Sequence, residues 1–272
     1  MTDMAIETIE RPQQSAVPPL IESPEMRPDI AVRLDHVSVA YRVPRERIGT
    51  FKEYMVRRLQ RKLRLRYETF LALKDVSLEI KRGEIFGIIG RNGAGKSTML
   101  KLVARVLQPT KGRVRVCGRV APLLELGAGF HPELSGRENI FLNGAILGFN
   151  RCEMMAKFDS IVDFSELHEF IDAPLRTYSS GMSARLGFAV ATDVQPDVLV
   201  VDEILSVGDE AFRRKSNARI NQFRENGTTI LLVSHAMETI QGMCQTVAWI
   251  DHGILCGYGS PKDVIAAYRA SQ

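Results

Sequence analysis

The sequence predicts an α/β fold built on a mostly parallel β-sheet, and two observations carry that prediction. The runs IFGIIG (85 to 90), DVLVVDE (197 to 203) and TTILLVSH (228 to 235) are apolar at successive positions, as strands covered on both faces must be, and stretches of helical periodicity separate them. Each run also ends in residues suited to chemistry: the stretch GRNGAGKST, a pair of carboxylates, and a histidine. In parallel sheets such ends gather at one edge, where ligands bind.

Taken in order, residues 1–29 contain Pro12, Pro18, Pro19, Pro24 and Pro28 among polar residues and read as a flexible tail. IAVRLDHVSVA at 30 to 40 alternates as a strand ending near Tyr41, and VSLEI at 76 to 80 is a second strand before the turn KRGE. Between them, at 44–66, lies a basic insertion in which Phe51, Met55, Leu59 and Leu63 recur every four residues. On a helix that spacing drifts by about 40° per step and leaves an apolar stripe flanked by Arg57, Arg58, Arg61, Lys62 and Arg64. An anionic membrane surface, a protein partner and plain solvent all suit such a helix. After the glycine-rich stretch, TMLKLVARVL reads as a helix, RVRVCGRV at 113 to 120 as an edge strand, and Glu138 to Phe170 as the helical part of a separate lobe. TVAWID and GILCGYG are two last strands before a helix from Pro261 to Ala270.

The 272 residues are 45% hydrophobic and 25% charged, which is ordinary for a globular chain and excludes fibrous and fully disordered classes. No run of 18 apolar residues occurs, so no membrane span is expected; IFLNGAILGF is too short and carries Asn143. The N-terminus begins acidic and has no charged-then-apolar leader, so a cytosolic address follows. Cys117, Cys152, Cys244 and Cys256 lack metal-ligand spacing and read as buried reduced thiols. The formal charge of +4 is unevenly spread: residues 1 to 30 carry six acids against two arginines, a net −4, whereas 42 to 66 carry ten Lys or Arg against Glu46 and Glu53, a net +8.

Residues 90 to 98 carry the clearest chemistry. Gly90, Gly95, Lys96 and Ser97 fit G-x-x-x-x-G-K-[ST], and Gly93 adds a further side-chain-free position. Backbone N–H groups of Gly90, Arg91, Asn92, Gly93, Ala94 and Gly95 can wrap a polyphosphate, and the following helix adds its N-terminal partial charge. Lys96 would reach the terminal phosphates, and Ser97, with Thr98 beside it, would supply a hydroxyl to Mg²⁺. A glycine-rich turn before a helix is the plain alternative; a strand before and a helix after favour the phosphate reading. Asp202 is either a strand terminator or a carboxylate that orients Mg²⁺, and Glu203 is placed to polarise a water for attack on a γ-phosphate. His235, a structural histidine if taken alone, ends a strand expected beside that of Asp202 and reads as a γ-phosphate contact.

YSSGMSARLGFAVA at 178 to 191 resembles the signature motif of ATP-binding-cassette (ABC) ATPases, with Ser179 and Gly181 on its serine and second glycine. The resemblance runs from about Ile30 to Tyr268. Tyr41 resembles the aromatic that stacks on adenine, GRNGAGKST the Walker A loop, VLVVDE the Walker B strand, SVGD with Asp209 the D-loop, and His235 the switch histidine. It implies a P-loop core with a mostly parallel sheet, an antiparallel β subdomain and a helical subdomain at about 126–185, the cassette occupying 30–272. It also implies ATP and Mg²⁺, and a head-to-tail homodimer in which Ser179, Ser180 and Gly181 of one copy complete the other's site. Ser180 and Met182 depart from the usual signature. No glutamine occurs between Gln108 and Gln195, where the family has one; Glu125 is the nearest polar residue in LLELGAGFHPELSGRENI.

That segment, the basic insertion and YSSGM together resemble the ATPase subunits of bacterial polysaccharide exporters for O-antigen, capsule and teichoic acid. The resemblance implies a polytopic membrane permease as partner, a lipid-linked polysaccharide reached through it, and a peripheral position on the cytoplasmic face of the inner membrane. Some O-antigen ATPases add a C-terminal sugar-binding β-sandwich of ~100 residues; this chain stops at Gln272, so sugar recognition by this subunit is not expected. The alternatives are a soluble ABC ATPase acting on nucleic acid or ribosomes, against which a single cassette speaks, and a cassette serving another transported substrate.

Overall fold

The computed structural model describes residues 27–44, 67–123, 127, 129–201, 209–234 and 236–272. In chain order the elements are β1 (Ile30–Pro44), β2 (Tyr67–Lys81), β3 (Ile85–Ile89), α1 (Lys96–Val103), β4 (Lys111–Val116) and β5 (Val120–Pro122). There follow α2 (Gly136–Ile146), α3 (Arg151–Ser165), α4 (Ser180–Thr192), β6 (Val198–Val201), α5 (Glu210–Glu225) and β7 (Thr229–Val233). The chain closes with α6 (Met237–Met243), β8 (Thr246–Asp251), β9 (Ile254–Gly259) and α7 (Pro261–Ala270).

Two sheets form. An antiparallel sheet has the order β2-β1-β4, and a second has the order β5-β6-β7-β3-β8-β9, parallel except for β9, which returns antiparallel to β8. β3, β6 and, after Thr229, β7 are apolar throughout because alternate residues enter two different cores. Phe86 and Ile88 of β3, Val198 and Val200 of β6, and Leu231 and Val233 of β7 face the antiparallel sheet and α1. Ile85 and Ile89, Leu199 and Val201, and Ile230 and Leu232 face the helical side, packing with Leu186, Phe212, Ile240 and Val264. There Phe164, Phe188 and Phe212 form a three-ring cluster with centroids 5.8, 5.8 and 5.9 Å apart, joining α3, α4 and α5.

In the helical lobe, two segments far apart in sequence are stitched together. Gly136 N–H donates to Ala173, Arg137 to Ile171, Leu175 to Leu134 and Arg176 to Pro132, at 2.8 to 3.2 Å. Ser135 caps α2 in a capping box with Glu138, whose carboxyl is held below its usual range by the Ser135 N–H and hydroxyl. Asn139, fully buried, accepts from His131 N–H at 2.7 Å and donates to the carbonyls of His131, Leu134 and Ser135. Tyr178 OH, directly before Ser179, donates to Phe170 O at 2.7 Å.

Several sequence expectations need correction. The first two strands are longer than expected, because β1 and β2 pair along their length from Ile30 with Lys81 to Pro44 with Tyr67, bulging between Leu34 and Val37. RVRVCGRV is two strands in different sheets: β4 pairs with β1, and β5 with β6. Glu138 to Phe170 is two α-helices and a 3₁₀ turn, the break falling before Asn150, which caps α3 with Glu153. The helix after the glycine-rich loop begins at Lys96 and ends at Val103. All four cysteines are free, but only Cys244 is buried; Cys152 and Cys256 are exposed and Cys117 is half-buried.

Candidate functional site

β3 delivers the chain to the edge where β6 and β7 also end, since all three run parallel. The loop turns at once. Gly90 has φ 148° and Gly95 φ 113°, and a Cβ on them would lie 2.1 Å from Ile250 O and 2.6 Å from Ala72 O, so neither position admits a side chain. Gly95 caps α1 without offering a side-chain acceptor, and the first turn carries no acid. The first amides of α1 thus keep their partial positive charge open toward the loop, which fits an anion.

Lys96, 7% exposed, curls back over this loop, its Nζ donating to Gly90 O at 2.8 Å and to Arg91 O at 2.9 Å. Asn92, Gly93, Gly95, Lys96, Ser97 and Thr98 line a cleft of about 400 Å³ together with Tyr41, Phe70 and Ala72 of the β1/β2 pair and Val233 at the end of β7. Arg91 and Ala94 line an adjoining cleft of about 430 Å³ with Leu71, Lys74, Asp251, His252 and Gly253, and Phe70 borders both. The structure therefore brings Tyr41 together with Lys96, Ser97 and Thr98. Phe70 is the residue that sequence reading missed; its one signal was its place opposite Tyr41, and seeing it requires the strand register.

The signature residues lie elsewhere. Ser179 caps α4, its Oγ accepting from Met182 N–H at 3.2 Å, and Ser180 and Gly181 begin that helix. None of the three lines the loop cleft of its own chain. Asp209 caps α5, accepting from Phe212 N–H at 2.9 Å and from Arg185 Nη2 at 2.5 Å, so α4 is tied to the start of α5. The Phe212 amide, then Arg185, holds its carboxyl below the usual range. Asp202, Glu203 and His235 lie outside the described residues, as do Glu125 and the insertion at 45–66.

Fold and loop together define a P-loop cassette. The ABC transporter domain family matches residues 73–206. An O-antigen export system ATP-binding protein of Klebsiella pneumoniae is 51% identical over 205 residues, which are 75% of this chain and 83% of that protein. Its counterpart in Myxococcus xanthus is 52% identical over 81% of this chain, which spans 51% of that longer protein. The ADP- and phosphate-bound dimeric cassette MJ0796 shares the fold, with a TM-score of 0.65 at 20% identity over 85% of this chain and 98% of its own. The chain belongs to the ABC transporter family of ATP-binding proteins.

Proposed function

We propose that this chain is the ATP-hydrolysing subunit of an exporter that moves a lipid-linked polysaccharide, O-antigen or a related cell-surface glycan, across the cytoplasmic membrane. The observation that carries this reading is the 51% identity to an O-antigen export ATP-binding protein along 83% of its length. No described helix is long and apolar enough to cross a membrane, so in this reading a polytopic permease forms the path and the present chain sits peripherally against it on the cytoplasmic side.

Two copies work head to tail. The loop cleft of one chain lacks its own Ser179 to Gly181, which supports a site completed by the second copy. Tyr41 takes the base, the 90–98 loop and the α1 N-terminus take the phosphates, and Lys96 exchanges loop carbonyls for phosphate oxygens. Ser97 and Asp202 would hold Mg²⁺, which neutralises charge on phosphate oxygens. Glu203 acts as the base that orients the attacking water, and His235 contacts the γ-phosphate. The γ-phosphate favours the closed pair, and its loss reopens it. The basic insertion at 44–66 sits beside the membrane and the anionic pyrophosphate of the glycan lipid.

Deletion of the gene from its host tests the substrate: surface glycan should vanish while lipid-linked glycan accumulates inside, and unaltered surface glycan overturns the export reading. Glu203→Gln should bind ATP, stall turnover and trap the dimer on a sizing column; ordinary turnover would remove Glu203 from the role of base. Reversing the charge of Arg57, Arg58 and Arg61 should impair export with ATP binding intact.

A further inference from the structure

We propose that Phe70 is a second base-contacting residue, forming with Tyr41 a two-ring platform that supplies much of the affinity for the purine of a nucleoside triphosphate. The proposal rests on the nucleotide reading above and adds a specificity determinant to it. An exposed aromatic alone signals nothing, because apolar atoms make up much of any protein surface. The placement of this one does. Tyr41 of β1 and Phe70 of β2 are direct partners in the antiparallel register, so their side chains leave the same face of the sheet, with Cβ atoms about 5 Å apart. Both residues line the same cleft as Gly95, Lys96, Ser97 and Thr98. Phe70 is 56% exposed and Tyr41 36%, so both offer ring surface to a ligand without any rearrangement of the core.

A triphosphate seated on the loop and the α1 N-terminus must carry its base away from the sheet edge, and the β1/β2 residues Tyr41, Phe70 and Ala72 supply the apolar lining that the same cleft offers it. A flat base meets one ring face to face and the other at its edge, the arrangement that aromatic quadrupoles favour. Phe70 has no hydrogen-bonding atom. It can therefore reward ring area, and hence purines over pyrimidines, without telling adenine from guanine.

Binding to the full-length chain tests this, with ATP, GTP, UTP and inorganic tripolyphosphate as probes. Phe70→Ala should weaken ATP and GTP on the order of tenfold, the range reported by removal of a base-stacking ring, with a smaller loss for UTP. Tripolyphosphate affinity and the thermal midpoint should be unchanged, and Phe70→Tyr should restore ATP binding. Unchanged ATP affinity in Phe70→Ala overturns the proposal. So does an equal loss for ATP and tripolyphosphate, which would make Phe70 a support of the loop. Failure of the parent nucleotide reading looks different: the unaltered chain would bind neither ATP nor tripolyphosphate.

Discussion

Lys96 shows how a single buried charge is held in place. Its ammonium lies on two carbonyls of the loop it follows, so the buried charge is compensated by hydrogen-bonding groups. Lys96→Ala removes a charge-assisted contact, of which each contributes about 1.5–3 kcal/mol, so ATP affinity should fall by one to two orders of magnitude. Titration calorimetry measures this directly, and undiminished binding would contradict the phosphate role. The loop that Lys96 closes was legible in the sequence because glycine spacing and a flanking strand and helix are local features. The place of Phe70 was not, because nothing within its own stretch, YETFLALK, reveals that it pairs with Tyr41, 29 residues earlier in the chain.

Among the elements, α2 depends most on one residue. Asn139 uses its amide in four hydrogen bonds that fix the turn at 131–135 against the helix. Asn139→Ala leaves the His131 amide and three carbonyls without this partner in a fully buried place, and should cost ~2–4 kcal/mol, read as a lowered urea midpoint. Ser135→Ala, which removes one exposed cap, should cost only ~1 kcal/mol. The sequence displayed these helices as periodicity but blurred their limits. The break before Asn150 rests on a cap, and RVRVCGRV alternates without pause even though the chain passes from one sheet to another within it, since alternation records which faces are covered and not which strand is the neighbour. The buried parallel strands were the most legible elements because both their faces meet core, and runs such as IFGII, VLVV and TILLV are short and rich in β-branched residues, as strands between helices are.

For the whole molecule, Cys244 is a built-in reporter. Packed against β3, where a Cβ on Gly87 would lie 2.9 Å from its sulfur, its thiol is pushed by burial from an ordinary value of 9.0 up to about 12. The folded state thus keeps this proton while the unfolded chain releases it, so stability should decline as pH rises from about 9 toward about 12. At neutral pH, Cys152 and Cys256 should react with a maleimide at once and Cys244 only as fast as the fold opens; mass spectrometry after timed quenching separates them. Rapid labelling of Cys244 would mean that the packing of α6 on β3 is looser than described. This division into two cores was visible only in part from the sequence: the alternating residues of β3, β6 and β7 were plainly hydrophobic, but which set faced which layer depends on strand order, a property of the assembled sheet.

The stitching of residues 131–137 to 171–176 has a mechanical consequence. Four main-chain hydrogen bonds hold the two segments together, and the Tyr178 hydroxyl adds a fifth tie to Phe170 O at the end of the same run. The turn at 131–135 and Ser179 at the cap of α4 are thus linked through one hydrogen-bonded segment, and a displacement imposed at one end should be passed to the other instead of being absorbed on the way.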